Sequence, residues 1–279
     1  MRPLHVSRRN STFQILQALK HNRAKRNELR EVFVEGIAPI KSACAAGRVV
    51  KRLIYQSDMP LSGWARALLA SSTEAQVIAL DGELFRELTD KAEPCELFAT
   101  FERENLHLDQ CEVRDGSLHV VVDRPSNHGN LGSIIRTADA FGVHLVVTLG
   151  HGVDVYDPAV IRASMGAIFH TPVCHEESTR ALAAWIAREK SRHPHVSVIG
   201  TDSAAADVLS AATPPRGAVI VMIGNEAKGL SVQLTAMADR LVKIPMQGSV
   251  DSLNVACAAS IVMYELSQSM RGGNDATAQ

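Results

Sequence analysis

The chain has 279 residues, of which 46% are apolar, and a net charge of −1, so it can bury one large or two modest cores and is not a disordered protein. Aromatic residues make up only 4%, which argues against a base-stacking sheet as the main binding surface. No apolar run reaches the roughly 18 to 20 residues that span a bilayer, and the N-terminus is too polar for a secretory signal. The five cysteines lack paired or metal-ligand spacing, which predicts a cytoplasmic protein with reduced thiols and no metal.

Charge is distributed unevenly along the chain. Residues 1–30 carry eight Lys or Arg and one acid, a net +7 that leaves −8 for the remainder. A basic helix is predicted over 11–30, with an apolar stripe formed by Phe13, Leu16, and Leu19 or Lys20. Two interpretations stay open for this N-terminal arm, residues 1–29: a solvated leader, or an arm that follows a phosphate backbone.

Short apolar runs then alternate with helical patterns, which predicts a small α/β domain over 30–102. Its predicted strands are 32–36, 52–56, 76–80 and 97–101, and its predicted helices are 37–46, 62–71 and 81–89. The segment 103–116 is acid-rich and only weakly periodic, which is typical of a linker.

A second α/β domain is predicted over 117–270, followed by a disordered tail at 271–279. Near-continuous apolar runs such as AVIVMI indicate a parallel sheet that is covered on both faces. The predicted strands are 118–123, 144–149, 196–200, 218–223 and 241–244, and the predicted helices are 131–141, 158–165, 178–190, 229–238 and 253–270.

Polar motifs follow three of these strands, at the carboxyl ends where open parallel sheets bind ligands. They are DRPSNHGNLGSIIRTADAFG, GNEAKGLS and PMQGSVDSLN. Turns, helix caps and the helix dipole explain most of these residues, including a capping role for Ser252 or Asn254. Arg136 is explained less well, because its helix is otherwise apolar and its guanidinium needs an anionic partner. Neither GxGxxG nor GxxxxGK[ST] occurs, so dinucleotide and P-loop sites lack their phosphate cradle.

Together, the order and spacing of the three motifs resemble the SpoU (TrmH-like) family of RNA ribose 2′-O-methyltransferases, within the SPOUT superfamily. The resemblance is strong over about 117–270, and the front half resembles members that modify large-subunit ribosomal RNA. The chain departs from the family at His128, where Pro is common. The matching residues are Asn130, Gly132, Arg136, Gly224, Asn225, Glu226, Gly229, Ile244, Pro245, Met246, Ser252, Leu253 and Asn254.

The resemblance implies a C-terminal α/β domain with a deep trefoil knot, a smaller N-terminal α/β domain that binds RNA, and a homodimer. It implies methylation of a ribose 2′-hydroxyl, with a uridine of large-subunit ribosomal RNA as one candidate target. By resemblance, S-adenosylmethionine is held largely through backbone groups near Gly200, Thr201, Gly224, Ile244, Met246 and Leu253. Three alternatives remain open: a tRNA substrate, a non-catalytic ribosome-assembly factor on the same fold, and a small-molecule enzyme on an open α/β sheet.

The residues assigned to catalysis by this resemblance are Asn130, Arg136, Glu226, Ser252 and Asn254. Arg136 either holds the adjacent phosphate and stabilises negative charge on the attacking oxygen, or acts as a base if it is deprotonated. We favour the first role, because a guanidinium normally stays charged. Glu226 is then predicted to hold the Arg136 guanidinium in place, while the other three position ribose, phosphate and loop.

Overall fold

The computed structural model describes residues 3–90, 95–209 and 217–275. The chain divides into two compact units, each built on its own sheet. The first unit comprises 1–104 and 156–170, and the second comprises 105–155 and 171–279.

The described residues form twelve strands and ten α-helices, most of them at predicted positions. The strands are β1 (Leu4–Val6), β2 (Glu31–Glu35), β3 (Val50–Gln56), β4 (Gln76–Leu80), β5 (Leu97–Glu102), β6 (Leu118–Asp123), β7 (Leu145–Leu149), β8 (Val173–Glu176), β9 (Ser197–Thr201), β10 (Asp207–Val208), β11 (Val219–Ile223) and β12 (Arg240–Lys243). The helices are α1 (Ser11–His21), α2 (Arg23–Leu29), α3 (Ile37–Ala45), α4 (Gly63–Ser71), α5 (Gly82–Glu87), α6 (His128–Ala140), α7 (Pro158–Ala163), α8 (Thr179–Arg192), α9 (Val232–Met237) and α10 (Val255–Asp275). Strands β1, β8 and β10 were not predicted, because two to four residues are too few to establish an alternation pattern.

The first unit contains a five-stranded sheet of order β1-β4-β3-β5-β2, in which β5 runs antiparallel to both neighbours and the other pairs are parallel. The apolar stripe of α1, formed by Phe13, Leu16 and Leu19, is fully buried in the core of this unit. In the same core the rings of Phe85 and Phe98 stack at 4.3 Å between centroids. The N-terminal segment is therefore packed into a folded domain and is not a solvated leader, while its contact with a phosphate backbone stays a prediction.

The basic region forms two helices where we predicted one helix over 11–30. Asn22 separates them with an extended backbone, and its N–H donates to the carbonyl of Ala18 at the end of α1. Its side chain accepts a hydrogen bond from the N–H of Lys25 at the start of α2. An Asn that caps both helices breaks the periodicity at a point that the apolar stripe alone does not reveal.

Half of the eight cations in this region are neutralised by acids within the unit. The buried Lys20 and Arg26 pair with Asp90 and Asp157 at 2.6 and 3.4 Å. Two further ion pairs join Arg9 to Glu87 and Lys25 to Glu28, with nitrogen–oxygen distances of 2.9 and 2.8 Å. The +7 charge counted in the sequence therefore overstates the positive surface of this segment.

The segment 156–170 belongs to the first unit, although it lies within the range that we predicted as the second domain. It contains α7, where Arg162 Nη1 lies 3.3 Å from Oε2 of the buried Glu35. Near its end, the carbonyl of Gly166 accepts a hydrogen bond from the Ser42 hydroxyl at 2.8 Å. These partners come from the first hundred residues of the chain, so local patterns around α7 give no indication of where it packs.

The second unit contains a seven-stranded parallel sheet of order β10-β12-β9-β11-β6-β7-β8. The central strands β6, β7 and β11 are buried along their whole length, which confirms the prediction of a parallel sheet that is covered on both faces. Helix α10 continues to Asp275, five residues beyond its predicted end at 270, so the first part of the predicted disordered tail is helical. Residues 276–279 of that tail lie outside the described residues.

The described part of the chain lacks membrane-spanning helices and clusters of metal-binding side chains. None of its helices has the length and hydropathy needed to cross a bilayer. No group of three or more His, Cys, Asp or Glu side chains there could hold a metal ion.

His119, near the start of β6, is only 1% exposed. Its Nε2 lies 2.7 Å from the Ser117 hydroxyl, and its ring meets the ring of Trp185 edge-on at 5.9 Å between centroids. Its Nδ1 has no partner among the described residues. Burial, with a smaller contribution from His144, lowers the pKa of His119 from 6.5 to about 4. His119 is therefore protonated at a lower pH in the folded chain than in the unfolded chain.

We expect the free energy of unfolding of the second unit to fall as the pH decreases from about 6.5 to about 4. The unfolded state binds the proton first, so His119 lowers stability progressively over this window, by up to about 3 kcal/mol, and adds no further loss below it. Above pH 6.5 both states are neutral and the contribution vanishes. Urea titrations above pH 7 and near pH 4 measure the effect. His119→Gln should flatten the dependence, whereas the same change at the exposed His151 should not; equal slopes in the two variants would contradict this assignment.

Candidate active site

The first and second polar motifs lie side by side, because β6 and β11 are neighbouring parallel strands. The register pairs Val122 with Ile223, so the two strands end at the same edge of the sheet. The segments that follow them, 124–130 and 224–231, meet at this edge. One strand pairing thus brings together residues that are about 100 positions apart in the chain.

The Glu226 carboxylate binds the N-terminal end of α6. Its Oε2 accepts hydrogen bonds from the backbone N–H and the hydroxyl of Ser126, at 3.2 and 2.8 Å. Its Oε1 accepts from the backbone N–H of Asn127 at 3.2 Å and from Nδ2 of Asn130 at 3.4 Å. A carboxylate at a helix N-terminus satisfies donors that the helix leaves unpaired and interacts favourably with its dipole. This contact explains why an acid follows the buried strand β11.

The same hydrogen bonds favour the charged form of Glu226. Partial burial by itself would raise the pKa of this carboxyl. Hydrogen bonds from its own backbone N–H, from Ser126 and from Asn130 outweigh burial and hold the pKa below its usual value. Glu226 is therefore a carboxylate at neutral pH and accepts hydrogen bonds without donating any.

Asn130 connects Glu226 to the third motif. Its Oδ1 accepts a hydrogen bond from Nδ2 of Asn254 at 3.1 Å, while its own Nδ2 faces Glu226. The Oδ1 of Asn254 in turn accepts from the backbone N–H of Ala256 at 2.8 Å, so Asn254 is the residue that caps α10. One side chain from each motif thus enters a single series of hydrogen bonds, which we call the Asn254–Asn130–Glu226 chain.

The residues Asn225–Gly229, which we call the Glu226 turn, are held together by their own hydrogen bonds. The N–H of Asn225 donates to the carbonyl of Gly229 at 2.9 Å, and the reverse bond is 3.0 Å long. The Oδ1 of Asn225 accepts from the backbone N–H groups of Ala227 and Lys228 at 3.0 and 3.1 Å. Its Nδ2 donates to the carbonyl of Arg124, after β6, at 2.7 Å. The turn is therefore fixed both internally and to the first motif.

Asp123 and Arg124, at the end of β6, also connect the first motif to the second. Neither residue was predicted from the sequence to have a role. The Asp123 carboxylate is almost fully buried and accepts from Nε and Nη2 of Arg124, both at 2.9 Å. It also accepts from the backbone N–H of Ser231, at the start of α9, at 2.8 Å. The sequence did contain one indication of this role, because Asp123 is an acid at the end of the largely apolar strand β6. Ser126 and Asn127, which bind Glu226 largely through backbone N–H groups, carried no such signal.

Arg136 lies on α6, six residues beyond Asn130, which is about 9 Å along the helix axis. Its side chain is exposed, and no hydrogen bond or ion pair joins it to the described residues. The predicted contact between Glu226 and Arg136 was therefore wrong, because the carboxylate is already satisfied by donors at the start of α6. The Arg136 guanidinium is left available for an anionic ligand.

The third motif is open. From Ile244 to Leu253, no backbone hydrogen bond to any described residue is made. Met246 and Leu253 are 37% and 39% exposed, and Ile244 is half-buried. Ser252 is exposed, with no hydrogen bond to the described part of the chain. Free backbone donors and acceptors beside apolar side chains suit a ligand that carries both an aromatic ring and polar groups.

Contacts within the protein account for the remaining candidate cofactor residues. A Cβ on Gly224 would come within 2.5 Å of the carbonyl carbon of Gly229, and one on Gly200 would come within 2.6 Å of the Leu241 side chain. The hydroxyl of Thr201 donates to the carbonyl of Met222 at 3.0 Å. Close packing of the chain explains why both positions are glycine. A cofactor role for Gly200, Thr201 and Gly224 therefore stays a prediction.

Comparison with known proteins covers both units. Residues 117–264 match the SpoU rRNA Methylase family, and residues 10–99 match the SpoU L30e-like domain. The chain is 39% identical over 275 residues to the 23S rRNA (uridine(2479)-2′-O)-methyltransferase of Streptomyces viridochromogenes, covering 98% of this chain and 94% of that protein. It is 27% identical over 247 residues to the 23S rRNA (guanosine(2553)-2′-O)-methyltransferase RlmP of Bacillus subtilis, covering 88% and 92%. The crystal structure of the SpoU methyltransferase AviRb from Streptomyces viridochromogenes in complex with the cofactor AdoMet matches with a TM-score of 0.87 and 38% identity, over 93% of this chain and 98% of that one.

Proposed function

The chain belongs to the SpoU rRNA methylase family, and from this premise we propose that it transfers a methyl group from S-adenosylmethionine to a ribose 2′-hydroxyl of 23S rRNA. The observation that carries the proposal is the Asn254–Asn130–Glu226 chain, because it gathers the polar residues of all three motifs at one edge of the sheet. Two relatives named as 23S rRNA 2′-O-methyltransferases align with most of the chain, which supports the same reaction. A ribosomal RNA substrate implies a cytoplasmic location.

The open segment 244–253 fits S-adenosylmethionine, because it offers unpaired backbone groups beside the apolar side chains of Ile244, Met246 and Leu253. When bound, the cofactor supplies an electrophilic methyl group for an in-line displacement by an oxygen nucleophile. The structural likeness to AviRb, solved in complex with AdoMet, supports this assignment. Gly200, Thr201 and Gly224 would lie near the cofactor rather than bind it through side chains.

Within this reaction Arg136 binds a phosphate next to the target ribose and stabilises negative charge on the attacking oxygen. Its side chain is exposed, and a guanidinium stays charged at neutral pH. Glu226 acts differently from our first expectation: it fixes the N-terminal end of the helix on which Arg136 lies. Asn130 and Asn254 connect the loops, and the exposed Ser252 is available to the ribose or phosphate.

The first unit would supply much of the RNA-binding surface. Its match to the SpoU L30e-like domain supports this role. Among the described cations of residues 3–30, Arg8, Arg23 and Arg30 have no acidic partner, so electrostatic attraction to RNA in this segment would depend on these three. The target would be a uridine, as in the relative that is 39% identical; the guanosine named for RlmP shows that relatives differ in the nucleotide they modify.

The test is to map 2′-O-methyl groups after incubating the protein with labelled S-adenosylmethionine and unmodified transcripts of 23S rRNA and of tRNA. We expect label at a single ribose of 23S rRNA. Label on tRNA alone would identify the alternative substrate. Failure to bind S-adenosylmethionine in a calorimetric titration would favour a non-catalytic assembly factor on the same fold.

A trefoil knot in the second unit is part of this proposal. Strand β12 lies on the opposite side of β11 from β6, yet α10, which follows β12, packs against α6, which follows β6. The segment 244–254 therefore has to cross the edge where the Glu226 turn lies. The close approach of Gly224 to the backbone of Gly229 and Leu230 supports a tightly crossed chain at this place.

We also propose that the protein is a homodimer in which α10 contributes to the interface. One face of α10 packs on α6, where the Thr137 and Ser260 hydroxyls lie 2.9 Å apart. Another face exposes Ile261 and Tyr264, 42% and 50% accessible, together with Cys257 at helical spacing. An exposed apolar stripe on a helix is typical of a protein–protein interface.

Ile261→Asp is expected to convert the dimer into a monomer at micromolar concentration, because a charge would be buried without a partner in the interface. Sedimentation velocity of the full chain measures this. Val232→Asp is the matched control, since Val232 is 82% exposed on α9 of the same unit and should tolerate the change. A wild-type monomer, or an Ile261→Asp dimer of unchanged affinity, would contradict the interface.

A further inference from the structure

Lys228 occupies a rigid position beside the candidate active site without any role in holding it together. Its backbone N–H is bound by the Oδ1 of Asn225 at 3.1 Å, and the turn is closed by the two bonds between Asn225 and Gly229. Its side chain is exposed and makes no hydrogen bond or ion pair with the described residues. The Glu226 turn therefore fixes the backbone of Lys228, whereas no described residue binds its ammonium group.

The acid nearest in sequence forms no ion pair with this ammonium group. Glu226 is two residues away, but both of its carboxylate oxygens already accept hydrogen bonds from Ser126, Asn127 and Asn130. These donors hold the carboxylate at the start of α6. Lys228 is thus left with its charge directed to solvent at the edge of the sheet where the three motifs meet.

Four described cations of the second unit are paired with acids: Arg124, Arg188, Lys190 and Arg192. Arg124 is held by Asp123, and Lys190 by Asp239 at 2.5 Å. Within the described parts of the segments 124–140 and 224–231, Arg136 and Lys228 are the cations without a partner. The chain outside residues 1–30 carries −8, so these two cations give the candidate active site local positive charge in an otherwise acidic part of the chain.

We infer that Lys228 binds a phosphate of the RNA strand that flanks the target nucleotide, a contact separate from the one assigned to Arg136. The inference rests on the proposed function and deepens it by adding a substrate-binding residue. A lysine ammonium is a compact charge with three donors, which suits a phosphate oxygen and carries no information about base identity. Because the Glu226 turn is fixed by other groups, little backbone ordering accompanies the contact.

The test compares Lys228→Ala and Lys228→Arg with wild type in the full chain. The matched control is Arg114→Ala: Arg114 is exposed, has no side-chain partner in the described residues and precedes β6, so it lies at the opposite edge of the sheet. The affinity for an unmodified 23S rRNA transcript is measured over a range of salt concentrations with S-adenosylhomocysteine present, and steady-state methylation is measured separately.

Lys228→Ala should raise the RNA dissociation constant and KM about fivefold to tenfold and leave kcat within about twofold, as for loss of one peripheral charge contact. The slope of log K against log salt should become shallower by about 0.7 to 0.9, the value for one phosphate. Lys228→Arg should recover most of the affinity. Affinity for S-adenosylmethionine should not change in any variant.

Two results would overturn the inference: an unchanged salt slope in Lys228→Ala, or a loss of kcat as large as the rise in KM. An effect of equal size in Arg114→Ala would also overturn it, because the loss would then reflect net charge. If the wild-type protein binds the transcript but methylates no RNA, the proposed function fails, while the salt slope still decides whether Lys228 contacts phosphate.

Discussion

Arg136→Ala is expected to lower the rate of methyl transfer by about 10² to 10³, with folding and cofactor affinity unchanged. Removing one group that stabilises charge developing in a transition state typically has an effect of this size. The Arg136 side chain is exposed and makes no hydrogen bond or ion pair with the described residues, so its removal leaves no buried group unpaired. Single-turnover methylation of 23S rRNA transcripts with labelled cofactor measures the rate, and calorimetry measures cofactor binding.

Arg136→Lys keeps a positive charge but loses the planar guanidinium, which can bind two phosphate oxygens at once. We therefore expect little recovery from this variant. Arg180→Ala, which removes another exposed cation of the second unit, is the matched control and should leave the chemical step unchanged. Activity near the wild-type level in Arg136→Ala would show that this guanidinium does not act in the reaction.

Glu226→Gln is expected to lower the rate of methyl transfer by about 10². The carboxylate accepts from two backbone N–H groups, one hydroxyl and two side-chain amides, whereas a glutamine in its place has one acceptor oxygen and turns an NH₂ group toward donors. The start of α6 would lose its fixed position relative to the Glu226 turn. The same single-turnover assay applies, and circular dichroism should show that the overall fold persists.

Double mutants separate this role from the one that we first expected for Glu226. Glu226 and Asn130 share a hydrogen bond, so Glu226→Gln combined with Asn130→Ala should be scarcely slower than the worse single variant. Glu226 shares no hydrogen bond with Arg136, but it fixes the helix that carries Arg136 and also holds Asn130. The combined loss should therefore exceed either single loss and fall short of their product. A double variant no slower than Arg136→Ala would show that Glu226 acts only through the guanidinium.

Much of the fold could be predicted from local patterns. Buried parallel strands such as β6 and β11 produce continuous apolar runs, and their periodicity survives in the sequence because burial constrains every residue of the strand. The division of residues 11–30 at Asn22 could not be predicted in this way, because the apolar stripe of α1 shows no break there. Very short strands such as β10 have too few residues to form a pattern.

The five candidate catalytic residues were assigned from the sequence through the family resemblance of the three motifs, but their contacts were not predicted. The resemblance placed Glu226, Asn130 and Asn254 in one site, and the structure joins them in one series of hydrogen bonds. It could not show that Glu226 binds the start of α6 instead of Arg136. That choice depends on which backbone N–H groups are left unpaired where α6 begins.

The amino-acid sequence by itself determined most of the strands and helices of both units, the polar motifs at the strand ends and the positions of the candidate catalytic residues. Only the tertiary structure decided that β6 and β11 are neighbours, that 156–170 packs with the first unit, and that half of the N-terminal cations are paired with acids. The physical reason is the separation along the chain of the residues that interact. Helix and strand periodicity arises from neighbouring residues, whereas these contacts join groups as far apart in the chain as Arg26 and Asp157, and depend on which surfaces the folded chain brings together.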